Sequence, residues 1–497
     1  MSEPSPKSVD TLVTGISGLD LITKGGLPKG RTVVVAGTAG SGKTVLAAQF
    51  LATGISTFEQ PGVFVACEET PADVRRNLAG FGWDVAAWES AGLWAFVDGS
   101  RPAEDSTIQV GAYDLTALLA RIEAAVGRIG AKRVAIDSLD ALFSQFSNDA
   151  VIRNELRRMK GRLQQWGVTT MLTAERTADY GPISRQEVEE FVSDNVILLR
   201  NVLNEGQRRR TIEILKVRGA DHDKGEFGFS INSHGITVIP HLDIEDVSRL
   251  TAERITSGNA ELDAMCDGGL FRDSVVLVSG AAGTGKTLLM TLFVTAAIEA
   301  GERCLILAYE ERREQLLRNA RGWGYDFEAM EQQGLLKVLC VYPEVATLDD
   351  HLVSIKASMA DFKPERVALD SLSALERVAT PGGFRKFVVS LSALFKHRNI
   401  TALLTSTTPT FLGGSSHTES HLSTVTDLII LLRHVEAGGE IRRGLAVLKM
   451  RGSKHDNEMR QFTVDSQGMH IGPPFTHTLG IARGPLGTSD VSPARDY

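Results

Sequence analysis

Cysteine is scarce. Cys67, Cys266, Cys304 and Cys340 are the four in 497 residues, and no two form a C-x-x-C pair. This excludes a zinc ribbon and a disulfide scaffold and suits a reducing compartment. Long apolar runs are lacking too: none approaches the ~18 residues of a membrane span, and Met1–Asp10 is polar without a signal-peptide core. A cytoplasmic protein with no membrane partner is expected. Nor is there an excess of basic charge, because 53 Lys and Arg face 61 Asp and Glu, for a formal charge of −8. That balance does not fit a protein whose main task is gripping a phosphate backbone, although it leaves room for a local basic channel. What is present is core material. A chain that is 43% hydrophobic and 23% charged, and long enough for two or three domains, is not globally disordered.

The chain is written twice. Gly37–Thr44 reads GTAGSGKT and Gly280–Thr287 reads GAAGTGKT, with the two lysines 243 positions apart. Upstream, GISGLD (Gly15–Asp20) and GGL (Gly25–Leu27) answer SGNAELD (Ser257–Asp263) and GGL (Gly268–Leu270). Downstream, ACEE (Ala66–Glu69) answers AYEE (Ala308–Glu311), and RVAIDSLDAL (Arg133–Leu142) answers RVALDSLSAL (Arg366–Leu375). SDNVILLR (Ser193–Arg200) then answers TDLIILLR (Thr426–Arg433), and KVRG (Lys216–Gly219) answers KMRG (Lys449–Gly452). From the RVA segment onward the expected offset is a constant 233. One order kept over six segments means two homologous lobes, expected over residues 1–245 and 246–472, with a flexible tail at 473–497 rich in Pro, Gly and Thr.

Each lobe alternates short apolar β-branched runs with helical periodicity. In lobe one the runs are Thr32–Gly37, Val63–Cys67, Arg133–Asp137, Thr169–Thr173, Asn195–Leu199 and Thr211–Leu215. Tyr113–Val126 and Val151–Trp166 carry apolar residues at helical spacing. Continuous apolar strands belong to a sheet covered on both faces. The expected fold class is therefore α/β, a mostly parallel twisted sheet flanked by helices in each lobe, with later antiparallel strands at one edge.

Both glycine-rich segments fit G-x-x-x-x-G-K-[ST] after an apolar strand and before a helix. Such a loop turns its backbone N–H groups and a helix N-terminus toward phosphate oxygens. The candidate ATP-binding residues are Gly40, Ser41, Gly42, Lys43, Thr44 and Val45, with Gly283, Thr284, Gly285, Lys286, Thr287 and Leu288 in lobe two. Lys43 and Lys286 would reach the β- and γ-phosphates, and Thr44 and Thr287 would coordinate Mg²⁺. Asp137 and Asp370 end apolar strands and precede Ser, the place for an aspartate that holds the magnesium shell. Glu68-Glu69 and Glu310-Glu311 also stand at strand ends, where a carboxylate can take a proton from water or a hydroxyl. Spacing does not choose within each pair; the first glutamate is favoured. Lys216-x-Arg218 and Lys449-x-Arg451 each put two cations on one strand face, as a phosphate contact or a solvated edge. Trp323, matched by Phe81, is either a buried core aromatic or a platform for adenine.

Tandem lobes with GTAGSGKT, CEET, GAAGTGKT, YEE, SHLSTVTD and KMRG resemble the KaiC family of clock ATPases and autokinases over about Val13 to Ile471. The resemblance implies two RecA-like P-loop domains and a homohexameric double ring with ATP at subunit interfaces in both tiers. Lobe one would hydrolyse ATP with Glu68 as base. Lobe two would carry autokinase and phosphatase activity with Glu310 as base and as a metal contact. Lys216, Val217, Arg218 and His222, and in lobe two Arg443, Lys449, Met450, Arg451, Ser453 and His455, would serve a neighbour's nucleotide. Ser423 and Thr424 would be the phosphoacceptors; at the offset of 233 their lobe-one partners are Glu190 and Phe191, which carry no hydroxyl.

The chain departs from the family in two places. Residues 472–497 do not look like the longer peptide that receives the activator KaiA, which gives no basis for expecting KaiA activation. Asn457 stands where the family has a lysine. The resemblance still allows a KaiB-type partner on the first ring. The competing class is a RecA-like DNA-binding motor or recombinase, because fold does not fix function. The acidic balance, the missing zinc motif and the absence of alternating basic and aromatic residues argue against it.

Overall fold

The computed structural model describes residues 10–99, 115–143, 146, 149–181, 194–204, 207–240, 251–408, 422–437, 439–465 and 468–475. Most of the tail, from 476 onward, and residues 241–250 at the expected join lie outside them. The chain divides into two compact units, separating between His241 and Leu242.

The lobe-one sheet is built from β1 Thr32–Gly37, β2 Gly62–Ala66, β3 Trp94–Asp98, β4 Arg133–Asp137, β5 Thr169–Glu175, β6 Asn195–Asn204, β7 Gln207–Val217, β8 Glu226–Asn232 and β9 Gly235–Val238. Lobe two repeats it with β10 Val275–Gly280, β11 Cys304–Ala308, β12 Leu336–Cys340, β13 Arg366–Asp370, β14 Thr401–Thr407, β15 Leu428–Ala437, β16 Glu440–Met450, β17 Arg460–Asp465 and β18 Gly468–Pro474. The orders are β3-β2-β4-β5-β1-β6-β7-β8-β9 and β12-β11-β13-β14-β10-β15-β16-β17-β18, each one nine-stranded sheet. In both, pairing is parallel from the first strand of that order to the sixth and antiparallel beyond it. The two lobes share one RecA-like α/β topology.

Alternation along β1 shows why Val33–Ala36 is wholly apolar. Val33 and Val35 pack into one core with the helix Lys43–Phe58, whereas Val34 and Ala36 pack into another with the helices Thr116–Ile129 and Asp149–Gln165. A strand covered on both faces has no polar side to display. The first residue of β4 and β13 is a buried arginine in each lobe. Arg133 donates to the carbonyls of Val13, Thr14 and Phe50, and Arg366 to that of Thr256 and to Glu302. Each arginine thereby ties its lobe's N-terminal segment to the sheet.

The offset of 233 does not hold throughout. Thr32 pairs with Thr170 and its counterpart Val275 with Ala402, so β5 and β14 match at 232. Asp194 and Asp427 restore 233, which puts one extra residue in the lobe-two connection before β15.

Candidate nucleotide sites

β1 and β10 end in the glycine loops, and helices begin at Lys43 and Lys286. Gly42 and Gly285 cap those helices at φ +97° and +105°, in the left-handed region that favours glycine. At Gly37 and Gly280 the requirement is space: a Cβ would lie 2.7 Å from Leu199 O and 2.5 Å from Leu432 O. Lys43 Nζ donates to Gly37 O at 2.8 Å and Thr38 O at 3.0 Å. Lys286 Nζ donates to Gly280 O and Ala281 O, both at 2.9 Å. Each ammonium therefore arches over its own loop. Burial lowers the pKa of both lysines; nearby carboxylates oppose this, Glu175, Asp137, Glu68 and Asp140 in lobe one and Asp370 and Glu310 in lobe two. Ser41 is fully buried, and Thr284 Oγ1 closes on Ala281 O at 2.8 Å. Leu288 is buried in the lobe-two core, and Val45, half-buried, packs against the core of lobe one.

Parallel pairing brings the ends of β2, β4 and β5 beside that loop, and likewise β11, β13 and β14. Thr287 Oγ1 donates to Asp370 Oδ2 at 2.8 Å, and Thr405 donates to the other carboxylate oxygen. Burial raises the Asp370 pKa, against those two hydrogen bonds and the Lys286 charge. In lobe one Thr173 donates to Asp137 in the same way. Sequence reading missed Thr173 and Thr405, although both are the fifth residue of a T-x-x-x-T strand.

The glutamate pairs separate by partner. Glu69 accepts from Asn77 Nδ2 at 2.9 Å and Glu311 from Asn319 Nδ2 at 3.2 Å, so the second glutamate is tied to the following helix in both lobes. The first takes other partners: Ser138 Oγ donates to Glu68 at 3.1 Å, and Arg377 pairs with Glu310 at 3.3 Å. Burial, with Asp370 nearby, raises the Glu311 pKa.

The basic pair at the end of β16 engages its own chain. Lys449 Nζ donates to the carbonyls of Ser423 and Thr426, and Arg451 donates to Thr424 O at 2.7 Å. The turn carrying both candidate phosphoacceptors is thus held by its backbone, with Thr424 exposed and Ser423 half-buried. Glu190 and Phe191 lie outside the described residues. In lobe one Arg218 N–H donates to Asp194 O, its guanidinium stands 3.9 Å from the Asp194 carboxylate, and Lys216 lies half-buried on β7. Val217 and Met450 pack on the cores. His222 N–H donates to Asp221, and His455 is half-buried. Ser453 Oγ is bracketed by Arg254 at 2.5 Å and Asp267 at 3.2 Å. Arg443 is exposed six residues before Lys449 on β16, roughly 20 Å away at ordinary strand rise. Trp323 packs against the lobe-two core, and Phe81 stacks on Trp83 at 5.0 Å against the core of lobe one.

Among the described residues no helix is long and apolar enough to cross a membrane. Two RecA-like sheets, each with a glycine loop, its lysine and threonine, and carboxylates at the neighbouring strand ends, define a tandem P-loop ATPase. The family model "ATPase: KaiC" matches residues 12–243 and again 255–475. The chain is 54% identical to "Circadian clock protein KaiC3" of Synechocystis sp., over 97% of this chain and 96% of that protein. It is 50% identical to "Circadian clock oscillator protein KaiC" of Parathermosynechococcus lividus, over 93% and 85%. It is 48% identical to the protein of that name from Synechococcus elongatus, over 96% and 92%. The chain belongs to the KaiC family, and these relatives do not favour the DNA-motor reading.

Proposed function

We propose that this protein is a cytoplasmic, hexameric timing or signalling ATPase whose first lobe hydrolyses ATP and whose second lobe phosphorylates its own Ser423 and Thr424. The observation that carries this reading is the repeated constellation at the strand ends: Lys43 with Glu68 and Asp137, and Lys286 with Glu310 and Asp370, around loops that only glycine can form. Thr287 and Asp370 bring two oxygen donors together at the loop, a donor set that suits Mg²⁺. Thr44, Thr287 and Glu310 would contact the ion, with Asp137 and Asp370 in its shell. When bound, Mg²⁺ neutralises phosphate charge.

The protein groups then divide the work. Backbone N–H groups of Gly40–Val45 and Gly283–Leu288 cradle phosphates, and Lys43 and Lys286 leave their carbonyl partners for phosphate oxygens. Glu68 takes a proton from water. Glu310 takes one from the hydroxyl of Ser423 or Thr424 as that oxygen bonds the γ-phosphorus and ADP leaves, and it returns the proton to the same oxygen when the phosphoryl group passes back to ADP. The neighbour's nucleotide recruits Lys216, Arg218 and His222 in the first ring, and Arg443, Lys449, Arg451, Ser453 and His455 in the second. A KaiB-type partner would dock on the first ring.

The test is intact-mass analysis after incubation with Mg²⁺-ATP, with the assembly sized in the same buffer. Mass gains of phosphate on a six-chain particle support the proposal. An unmodified chain that stays monomeric with and without ATP contradicts it.

A further inference from the structure

We infer that Asp179 is a positioning residue for the lobe-one nucleotide, acting through Thr38 and Asn201; this rests on the reading that Gly37–Thr44 binds ATP. Asp179 Oδ1 accepts from Thr38 Oγ1 at 2.7 Å, inside the phosphate loop, and from the N–H of Asn201 at 3.1 Å. The Asn201 side chain, 7% exposed, reaches back to Gly40 O at 3.4 Å. Two residues of the loop are therefore held by one aspartate and its neighbour on β6.

Asp179 is itself held in place. Arg176 is buried beside the loop, its N–H on Gly37 O at 3.0 Å, and its guanidinium donates to the carbonyls of Asp179 at 2.9 Å and Gly181 at 2.7 Å. Arg200, 6% exposed, donates to Asp179 O at 3.1 Å and pairs with Glu213 at 2.5 Å and Glu226 at 3.2 Å. The fastening thus runs from β7 and β8 through Arg200 to the phosphate loop.

Lobe two keeps Arg433 in the place of Arg200 but lacks most of the other residues that build it. At the matching places Ala281 stands for Thr38, Thr408 for Arg176, His434 for Asn201, Ala446 for Glu213 and Met459 for Glu226. There His434 Nε2 lies 3.4 Å from Ala282 O. A glycine-rich loop loses much backbone freedom when it orders on a phosphate, and fastening it beforehand lowers that cost. The gain is the same for ground and transition states, so it acts on KM and leaves kcat alone.

The test uses the full chain carrying Lys286→Ala, so that hydrolysis reports lobe one. Asp179→Ala should raise KM for Mg²⁺-ATP about tenfold with kcat within about twofold. Asp179→Asn keeps an oxygen acceptor for Thr38 and Asn201 and should restore KM to within about threefold of the parent. Thr38→Val should reproduce most of the rise, and Thr38→Val/Asp179→Ala should be no worse than Asp179→Ala, because the residues form one unit. If Asp179→Ala does not fold, Thr38→Val and Asp179→Asn carry the same comparison. An unchanged KM in Thr38→Val and Asp179→Ala, a fall in kcat alone, or multiplying losses overturns the role. If the Lys286→Ala parent binds no ATP, this role and the nucleotide reading fall together. If the parent binds and Asp179→Ala matches it, only this role falls.

Discussion

The Thr287 hydroxyl donates to Asp370 Oδ2 over 2.8 Å, joining the first turn of the phosphate-loop helix to the end of β13. Among the described residues Thr44 and Asp137 make no such bond. The carboxylate that would hold the magnesium shell is thus locked in lobe two and less constrained in lobe one.

Asp370 should be a site where function costs stability. Burial raises its pKa above the ordinary 3.8, so the fold favours the neutral form. A carboxyl raised in this way stabilises the fold fully below its unfolded pKa, and that contribution is lost as pH rises through the folded pKa. Nucleotide-free Asp370→Asn should therefore melt about 2–4 °C higher at pH 7, the shift for roughly 1 kcal/mol in a domain of this size, while losing Mg²⁺-dependent phosphorylation. Near pH 4 the difference should shrink. Calorimetry showing a lower melting temperature at pH 7 contradicts this account.

Glu68→Gln keeps size and hydrogen bonding but removes the base. Steady ATP hydrolysis should fall by about 10²-fold or more while phosphorylation of lobe two persists. Glu69→Gln can still accept from Asn77 and should leave hydrolysis within about threefold. Loss of both activities in Glu68→Gln, or equal loss in the two variants, would show that the lobes or the two glutamates are not chemically separate.

Thiol labelling tests the packing of the cores. Burial pushes Cys67, Cys266 and Cys304 up to about 12. Cys340 is half-buried and raised as well, chiefly by burial. Attack requires thiolate and access, so native protein at pH 8 should take up iodoacetamide slowly, at Cys340 first. Mass analysis should show one adduct before any other and four after denaturation. Early labelling of Cys304 would mean that β11 opens.

The duplication and the parallel core were legible in the sequence because β-branched runs covered on both faces leave a continuous apolar signal. Thr32–Gly37 and Arg133–Asp137 match their strands end to end, and Asp149–Gln165 lies within two residues of the expected helix. β3 Trp94–Asp98 was not read, nor were β8 and β9, because at the sheet margins a short strand's pattern is set by its neighbours. At the sites, residue types and spacing located the lysines, threonines and acids. They could not show that Asn77 and Asn319 engage the second glutamates, or that Lys449 and Arg451 grip the turn before β15. Those are tertiary contacts between elements whose approach no local period encodes. The slip to 232 at β5 and β14 was hidden for a related reason: two compensating one-residue changes leave both flanks in register.

The turn of the proposed phosphoacceptors gives the last prediction. Ser423 and Thr424 sit just before β15, their carbonyls held by Lys449 and Arg451 in the same chain. Phosphoryl transfer needs the hydroxyl in line with the γ-phosphate and a carboxylate near its proton. If the nucleotide lies at a subunit interface, as proposed, the acceptors of one chain should attack ATP on the neighbour's Lys286–Thr287 loop, with that neighbour's Glu310 as base. Each phosphate adds about −1.5 to −2 charge beside two cations already at the turn, so Lys449 and Arg451 should exchange carbonyl for phosphate oxygens. Mixing Glu310→Gln chains with Ser423→Ala/Thr424→Ala chains, under conditions that exchange subunits, separates the two halves of the reaction. Each variant alone should stay unphosphorylated, and in mixed rings phosphate should appear on the Glu310→Gln chain. If that chain remains unmodified in verified mixed rings, transfer occurs within one subunit, and Lys449 and Arg451 must bring the turn to their own chain's nucleotide instead.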